Sequence, residues 1–233
     1  MKTLNFISKG AIGITLAAAF GIASALPVNL VSNGSFESGL TGWSIGGTDG
    51  QGFPPIAINY NSNAQYSGGG AFGEPIPQNN APTNSPDAVG TKAAYFVSDL
   101  ATNQSLFQTI SILTAGFYQI GFSAYAPQNG FDNANDATFS GVIASFTLAN
   151  YSVKSGLATT WQTFSNNIFL TANNYTAQFV FNTNGRPAAD VVIDQVYVIA
   201  TPPAEVPEPG SLALLGLGLA GLAFVARRKQ KQA

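Results

Sequence analysis

The side chains in this sequence that could carry chemistry are carboxylates and aromatic rings. It contains neither histidine nor cysteine. Serine–histidine and cysteine–histidine nucleophiles, imidazole- or thiolate-bound zinc, haem ligation and disulfides are therefore closed to it. Carboxylate, lysine and tyrosine chemistry remain open. Of eleven acidic residues nine lie between the two ends of the chain, all except Glu205 and Glu208. Glycoside cleavage needs two carboxylates facing each other roughly 5–10 Å apart, and nine scattered ones single out no such pair. Asp194 stands out within Val191-Val-Ile-Asp-Gln-Val-Tyr-Val198. It shares strand parity with Val192, Val196 and Val198, so a carboxylate interrupts an apolar face. There it needs a cation, a backbone N–H or an edge open to water. Asp132, Asn133, Asn135 and Asp136 form an oxygen-rich cluster. It lacks the glycine and distal glutamate of an EF-hand loop and reads as a solvated loop. Trp161, Tyr60, Tyr66, Tyr125 and Tyr151 are candidate platforms for a sugar ring, although most aromatic residues of a β-sandwich belong to its core.

The elements that position these residues follow from composition and period. Hydrophobic residues make up 45% of the chain and charged ones only 9%, against roughly 25% charged in an average soluble domain. Between the ends stand three basic residues, Lys92, Lys154 and Arg186, against nine acidic ones. That balance excludes a nucleic-acid binder, which needs a basic footprint. Period-two patterns recur and helical ones are nearly absent. Tyr118, Ile120, Phe122 and Ala124 fall on one face, as do Tyr175, Ala177, Phe179 and Phe181. Further runs span 104–110, 141–148 and 161–170. Turn formers separate them at 113–116, 127–130 and 182–185. The expected fold is all-β, an antiparallel β-sandwich (jelly roll) over residues 26–200, with Phe36 and Trp43 as core anchors where the first strand enters. Residues 61–91, rich in Gly, Pro and Asn, read as a long rim loop.

Both ends read as addresses. Residues 1–25 combine Lys2 and Lys9, an apolar stretch and Ala23-Ser24-Ala25, the layout of a cleavable signal peptide and its helix; a retained N-terminal anchor is the alternative. Residues 211–226 are uncharged and mostly apolar, and Arg227, Arg228, Lys229 and Lys231 follow as a basic cytoplasmic tail. They predict a transmembrane stop-transfer helix with its basic end in the cytoplasm. Residues 201–210 form a proline-rich linker that includes Val206-Pro207-Glu208-Pro209. The order of Pro-Glu-Pro, apolar helix and basic cluster at the C-terminus resembles the PEP-CTERM sorting signal. That resemblance implies an exosortase, a membrane protease-transpeptidase that reads Pro-Glu-Pro and removes the helix. A permanent single-pass anchor is the alternative.

A second resemblance lies in Asn29-Leu-Val-Ser-Asn-Gly-Ser-Phe-Glu-Ser-Gly-Leu-Thr-Gly-Trp43 and in the closing strand Val191–Val198. The opening N-G-S-F-E…G-W and the final I-D-x-V are similar to those of galactose-binding-domain-like jelly rolls, many of them carbohydrate-binding modules. The resemblance implies a structural calcium ion where the first and last strands meet, held by Glu37 and Asp194 with a carbonyl near Asn33; plain hydrogen bonding of Asp194 is the alternative. The sequence as a whole points to a non-catalytic protein, exported to the cell surface or extracellular matrix, that binds exopolysaccharide or another glycan. A purely structural or adhesive role, and a small glycoside hydrolase or lyase, stand as the competing expectations.

Overall fold

The computed structural model describes residues 28–59, 65–66, 70–71, 81, 90–127, 135–156 and 160–202, with isolated helical positions at 216, 219 and 227. The expected signal segment 1–25, Tyr60, Asp132, Asn133, Val206–Pro209, Arg228, Lys229 and Lys231 lie outside the described residues. Tyr66 is described in its backbone only. Among the described residues no helix is long and apolar enough to cross a membrane, and most of 211–226 is not among them.

In chain order the elements are β1 (Ser44–Asp49), β2 (Ile56–Asn59), β3 (Gln65–Tyr66), β4 (Gly70–Ala71), β5 (Lys92–Phe96), β6 (Ala101–Ile112) and β7 (Gly116–Tyr125). They continue with β8 (Thr138–Ile143), β9 (Phe146–Ser152), the short α1 (Val153–Gly156), β10 (Gln162–Leu170), β11 (Asn173–Asn182) and β12 (Val191–Ala200). Two five-stranded sheets, ordered β1-β6-β11-β8-β9 and β10-β7-β12-β5-β2, form the sandwich. All pairings are antiparallel. The expected β-sandwich is the observed one.

Alternation builds the core as the sequence requires. Tyr118, Ile120, Phe122 and Ala124 of β7 point between the sheets and are buried, and so do Ala177, Phe179 and Phe181 of β11. Tyr175, at the start of the same face, is partly buried against that core. Phe122 and Phe179 meet edge-to-face across the sandwich at 4.9 Å, and Phe139 stacks on Phe179 at 6.2 Å. Such ring pairs contribute about 0.5–1.5 kcal/mol beyond the area they bury.

Four local features differ from the sequence reading. The 141–148 run is two strands, β8 and β9, joined through Ala144 and Ser145, whose φ values are 50° and 66°. Neither residue type favours the left-handed region. Tertiary contact holds the turn instead: Ala144 is buried and its N–H donates to the Thr176 carbonyl at 3.0 Å. The expected rim loop contains the small β3–β4 pair. No strand contains Phe36 or Trp43, although both are buried and lie 5.3 Å apart as core anchors. Residues 29–43 form a chain of turns, with Asn33 and Phe36 at positive φ.

The fourth feature concerns Asp194. The β12–β7 register shifts between Asp194 and Tyr197, and Gln195 sits in the bulge at φ 53°. The extra residue reverses the alternation. Val191, Ile193, Val196 and Val198 all join the inner core, whereas Val192 joins a cluster on the outer face. Asp194 pairs with Ser123 and shares the outer face with Val192, not with Val196 and Val198.

Along its other edge β12 changes partner. β5 pairs with Val191–Ile193. Beyond the bulge the N-terminal turns take over: the Leu30 N–H donates to the Val198 carbonyl and the Val196 N–H to the Gly34 carbonyl, both at 2.9 Å. Asp194 and Gln195 occupy the gap between these two partners.

Candidate cation and glycan sites

The partner change brings Glu37 to Asp194. Glu37 follows the turn that docks Gly34 on β12, and its Oε1 accepts the Thr91 and Lys92 N–H groups, each at 2.7 Å. The Lys92 ammonium donates to the Glu37 backbone carbonyl at 3.1 Å. The carboxylate is therefore clamped to the start of β5. Gly90 leaves the room for it, since a Cβ there would lie 1.9 Å from the Glu37 carboxyl carbon.

Asp194 is fully buried. Its Oδ1 accepts the Gln195 N–H at 2.7 Å, while Oδ2 has no hydrogen-bond partner. Burial pushes its carboxyl well above the usual value of 3.8; the nearby Glu37 carboxylate adds to that, and the Gln195 N–H opposes it. Both amide atoms of Gln195 and the Tyr197 hydroxyl are likewise buried without a partner. Buried oxygens of this kind are uncommon in folded proteins and call for an explanation. Two carboxylates and an amide oxygen are hard donors of the type calcium takes, so these residues fit the ion that the sequence resemblance implies. No third carboxylate joins them among the described residues, and the remaining donors would be carbonyls. The Asn33 carbonyl already accepts the Trp43 indole N–H and the Phe36 N–H, both at 3.2 Å.

The second candidate site is the outer face of the β10-β7-β12-β5-β2 sheet. Ile58, Ala93, Tyr95, Val97, Tyr125 and Val192 form a buried cluster there, with Phe53, Ile56 and Trp161 packed at its margin. The Trp161 ring lies 5.7 Å from that of Tyr125. Hydrogen-bonding groups stand beside it. The Tyr95 hydroxyl donates to Asp190 Oδ2 at 2.6 Å, and the Ser123 and Thr163 hydroxyls are 3.2 Å apart. Of the expected platforms, Tyr125 is buried beneath Trp161, and Tyr151 packs against Phe164 at the inner core. Trp161 and Tyr151 are both partly exposed, but only Trp161 lies at the margin of the outer-face cluster. The Tyr95–Asp190 pair escaped the sequence reading; its signal was the unbroken apolar run 93–97, the mark of a strand buried on both faces.

The oxygen-rich cluster is divided. Asp136 Oδ1 accepts the Ala137 and Lys154 N–H groups at 2.8 and 3.0 Å, tying the start of β8 to α1. The Asn135 amide donates to the Pro187 carbonyl at 3.3 Å. These two residues act as structural ties.

Residues 205–229 match the PEP-CTERM protein-sorting motif; they contain the Val206–Pro209 motif, the apolar run and Arg227–Lys229. Comparison with curated proteins finds no match. Among solved structures, TmCBM61 in complex with beta-1,4-galactotriose is similar over 75% of this chain and 99% of its own, at 18% identity and a TM-score of 0.48. Family 16 Carbohydrate Binding Module-2 is similar over 73% and 99%, at 13% identity and a TM-score of 0.41. The CBM22-1 xylan-binding domain of Xyn10C from Paenibacillus barcinonensis is similar over 78% and 100%, at 13% identity and a TM-score of 0.41.

Proposed function

We propose that this is an exported, non-catalytic surface or matrix protein. An exosortase-type enzyme processes it at Val206–Pro209, and it binds a glycan of the cell envelope or its matrix on the outer sheet face around Trp161. Calcium held by Glu37 and Asp194 fixes the N-terminal turns to β12. The observation that carries the glycan reading is Trp161 itself, a partly exposed residue packed against buried Tyr125 on the sheet face that also holds the Ser123 and Thr163 hydroxyls. A rigid aromatic body with polar neighbours suits the apolar face and equatorial hydroxyls of a sugar ring. The non-catalytic reading is supported by how four of the six described carboxylates are used. Asp190 binds Tyr95, Glu37 binds the start of β5, Asp49 accepts from Ser98 and Gln51, and Asp136 ties β8 to α1.

Affinity electrophoresis against the producer's exopolysaccharide tests the site. Trp161→Ala is expected to weaken retention at least about tenfold, equivalent to about 1.4 kcal/mol, with the melting temperature little changed. Equal retention of the variant and the parent would refute the placement. For processing, mass measurement of the surface form is expected to show a chain ending before Ser211; recovery of Arg227–Ala233 still attached would overturn the exosortase step.

A further inference from the structure

The end of the sandwich from which the chain leaves for its sorting segment is uncharged and exposes several large apolar side chains. Phe117, at the start of β7, and its cross-strand partner Phe169 are 57% and 58% exposed, and their rings meet at 5.5 Å. Leu113 in the β6–β7 turn is 86% exposed, and Val28, next to the Asn29–Ile199 bridge, 73%. Exposed large apolar groups gathered at one place mark an interaction surface. None of residues 28–30, 113–117, 143–147, 169–176 and 199–202, which make up this end, is charged. The opposite end carries Asp49, Asp99, Asp136, Lys154, Arg186 and Asp190, a net negative set.

The exit of the chain is fixed at the patch. The Thr201 N–H donates to the Phe117 carbonyl at 2.8 Å. From there residues 203–210 lead to Ser211; fully extended, eight residues reach at most about 28 Å. A patch so tethered stays close to whatever holds residues 211–226.

From this geometry we infer that the Leu113–Phe117–Phe169 end rests in the outer surface of the bilayer that holds residues 211–226, seating the domain upright before processing. The inference rests on the reading of that segment as membrane-held. Apolar side chains without neighbouring charge partition into the headgroup–acyl boundary. The acidic end is then turned away from anionic lipid, which would repel it. The two phenylalanine rings stand at 76° to each other, so they present no flat shelf for a sugar.

The chain has no cysteine, so single thiols report single positions. Full-length protein carrying Thr114→Cys, Arg186→Cys or Leu219→Cys would be labelled with a polarity-sensitive dye. Each would be reconstituted in phosphatidylethanolamine–phosphatidylglycerol vesicles containing lipid with a quencher near the headgroup for positions 114 and 186, and deep in the acyl chain for position 219. Thr114 is exposed and supplies only its backbone carbonyl, to the Tyr118 hydroxyl. Its label is expected to be quenched several-fold more than the label at Arg186. Phe117→Ser with Phe169→Ser should abolish that difference while leaving quenching at position 219 unchanged. Equal quenching at 114 and 186, with 219 quenched, overturns the proposal. So does energy transfer between 114 labels in detergent that rises with protein concentration, since it would assign the patch to a second copy. Absence of quenching at 219 overturns the membrane-held reading of 211–226 and with it the proposal, whether or not 114 is quenched; quenching at 219 and at 114 above 186 supports it.

Discussion

Stripped of divalent cations, the protein is expected to lose stability as the pH rises from about 4 towards neutrality. Asp194 is responsible. In the unfolded chain its carboxyl ionises near 3.8, but in the folded chain burial, reinforced by Glu37, holds it protonated to a well higher pH. Between those two values the folded state binds more protons than the unfolded one, so raising the pH favours unfolding; below the lower value the penalty is absent, and above the upper one it is complete. The charged group acting on this position is Glu37, whose backbone carbonyl engages the Lys92 ammonium. Calcium should reverse the trend, because it binds the ionised form. At a hundredfold excess over its dissociation constant it would add about 2.7 kcal/mol, a rise in melting temperature of roughly 5–10 °C for a domain of this size. Thermal scans with chelator and with calcium at pH 4, 5.5 and 7 would measure both effects. Asp194→Asn should flatten the pH dependence of the chelated protein and remove the calcium response. A parent protein with identical scans in chelator and calcium would eliminate the cation site.

The sandwich was legible because two of its long strands obey the simplest rule available. β7 and β11 alternate cleanly, and the turn formers at 113–116 and 182–185 fall where the structure turns. Asn184 and Gly185 take the positive φ their residue types favour. Legibility failed where the backbone enters the left-handed region on residues that do not announce it. Phe36, Ala144, Ser145 and Gln195 are cases; Phe36 and Ala144 are held by burial in the core, and Gln195 by the bulge in β12. The Gln195 bulge had the largest consequence. It moved Asp194 to the opposite face from Val196 and Val198, so the parity argument located an exceptional carboxylate for a reason that does not hold. The juxtaposition of Glu37 with Asp194 came from the motif resemblance. Nothing in period or composition reveals that β12 exchanges one edge partner for another at its bulge. The outer-face cluster was hidden differently: a strand buried on both sides, such as β5, shows no alternation to read.

That exchange of partners makes Gly34 a position of high expected sensitivity. A Cβ at residue 34 would lie 2.0 Å from the Val196 carbonyl oxygen and 3.2 Å from the Asn29 side-chain nitrogen. The first of these is backbone and cannot swing aside. The Asn29 amide is also committed: its nitrogen donates to the Val196 carbonyl at 2.9 Å, and its oxygen accepts the Val198 N–H at 3.0 Å. Gly34→Ala must therefore lift the N-terminal turns from β12, losing the Val196 N–H to Gly34 carbonyl bond and loosening Phe36 from the core. A loss of about 3 kcal/mol or more is expected, at the upper end of single-substitution effects. Because Glu37 lies three residues further on, the same variant should require at least about tenfold more calcium for the same thermal shift. Gly39→Ala supplies the contrast. Gly39 has φ +66° with nothing within 4 Å of an added Cβ, so the change should cost only the roughly 1–2 kcal/mol of a left-handed alanine and leave calcium affinity unaltered. Chemical denaturation and calcium titration of both variants separate close packing from backbone strain. If the Gly34 and Gly39 variants proved equal in both measurements, the N-terminal turns would not be what carries Glu37 to Asp194.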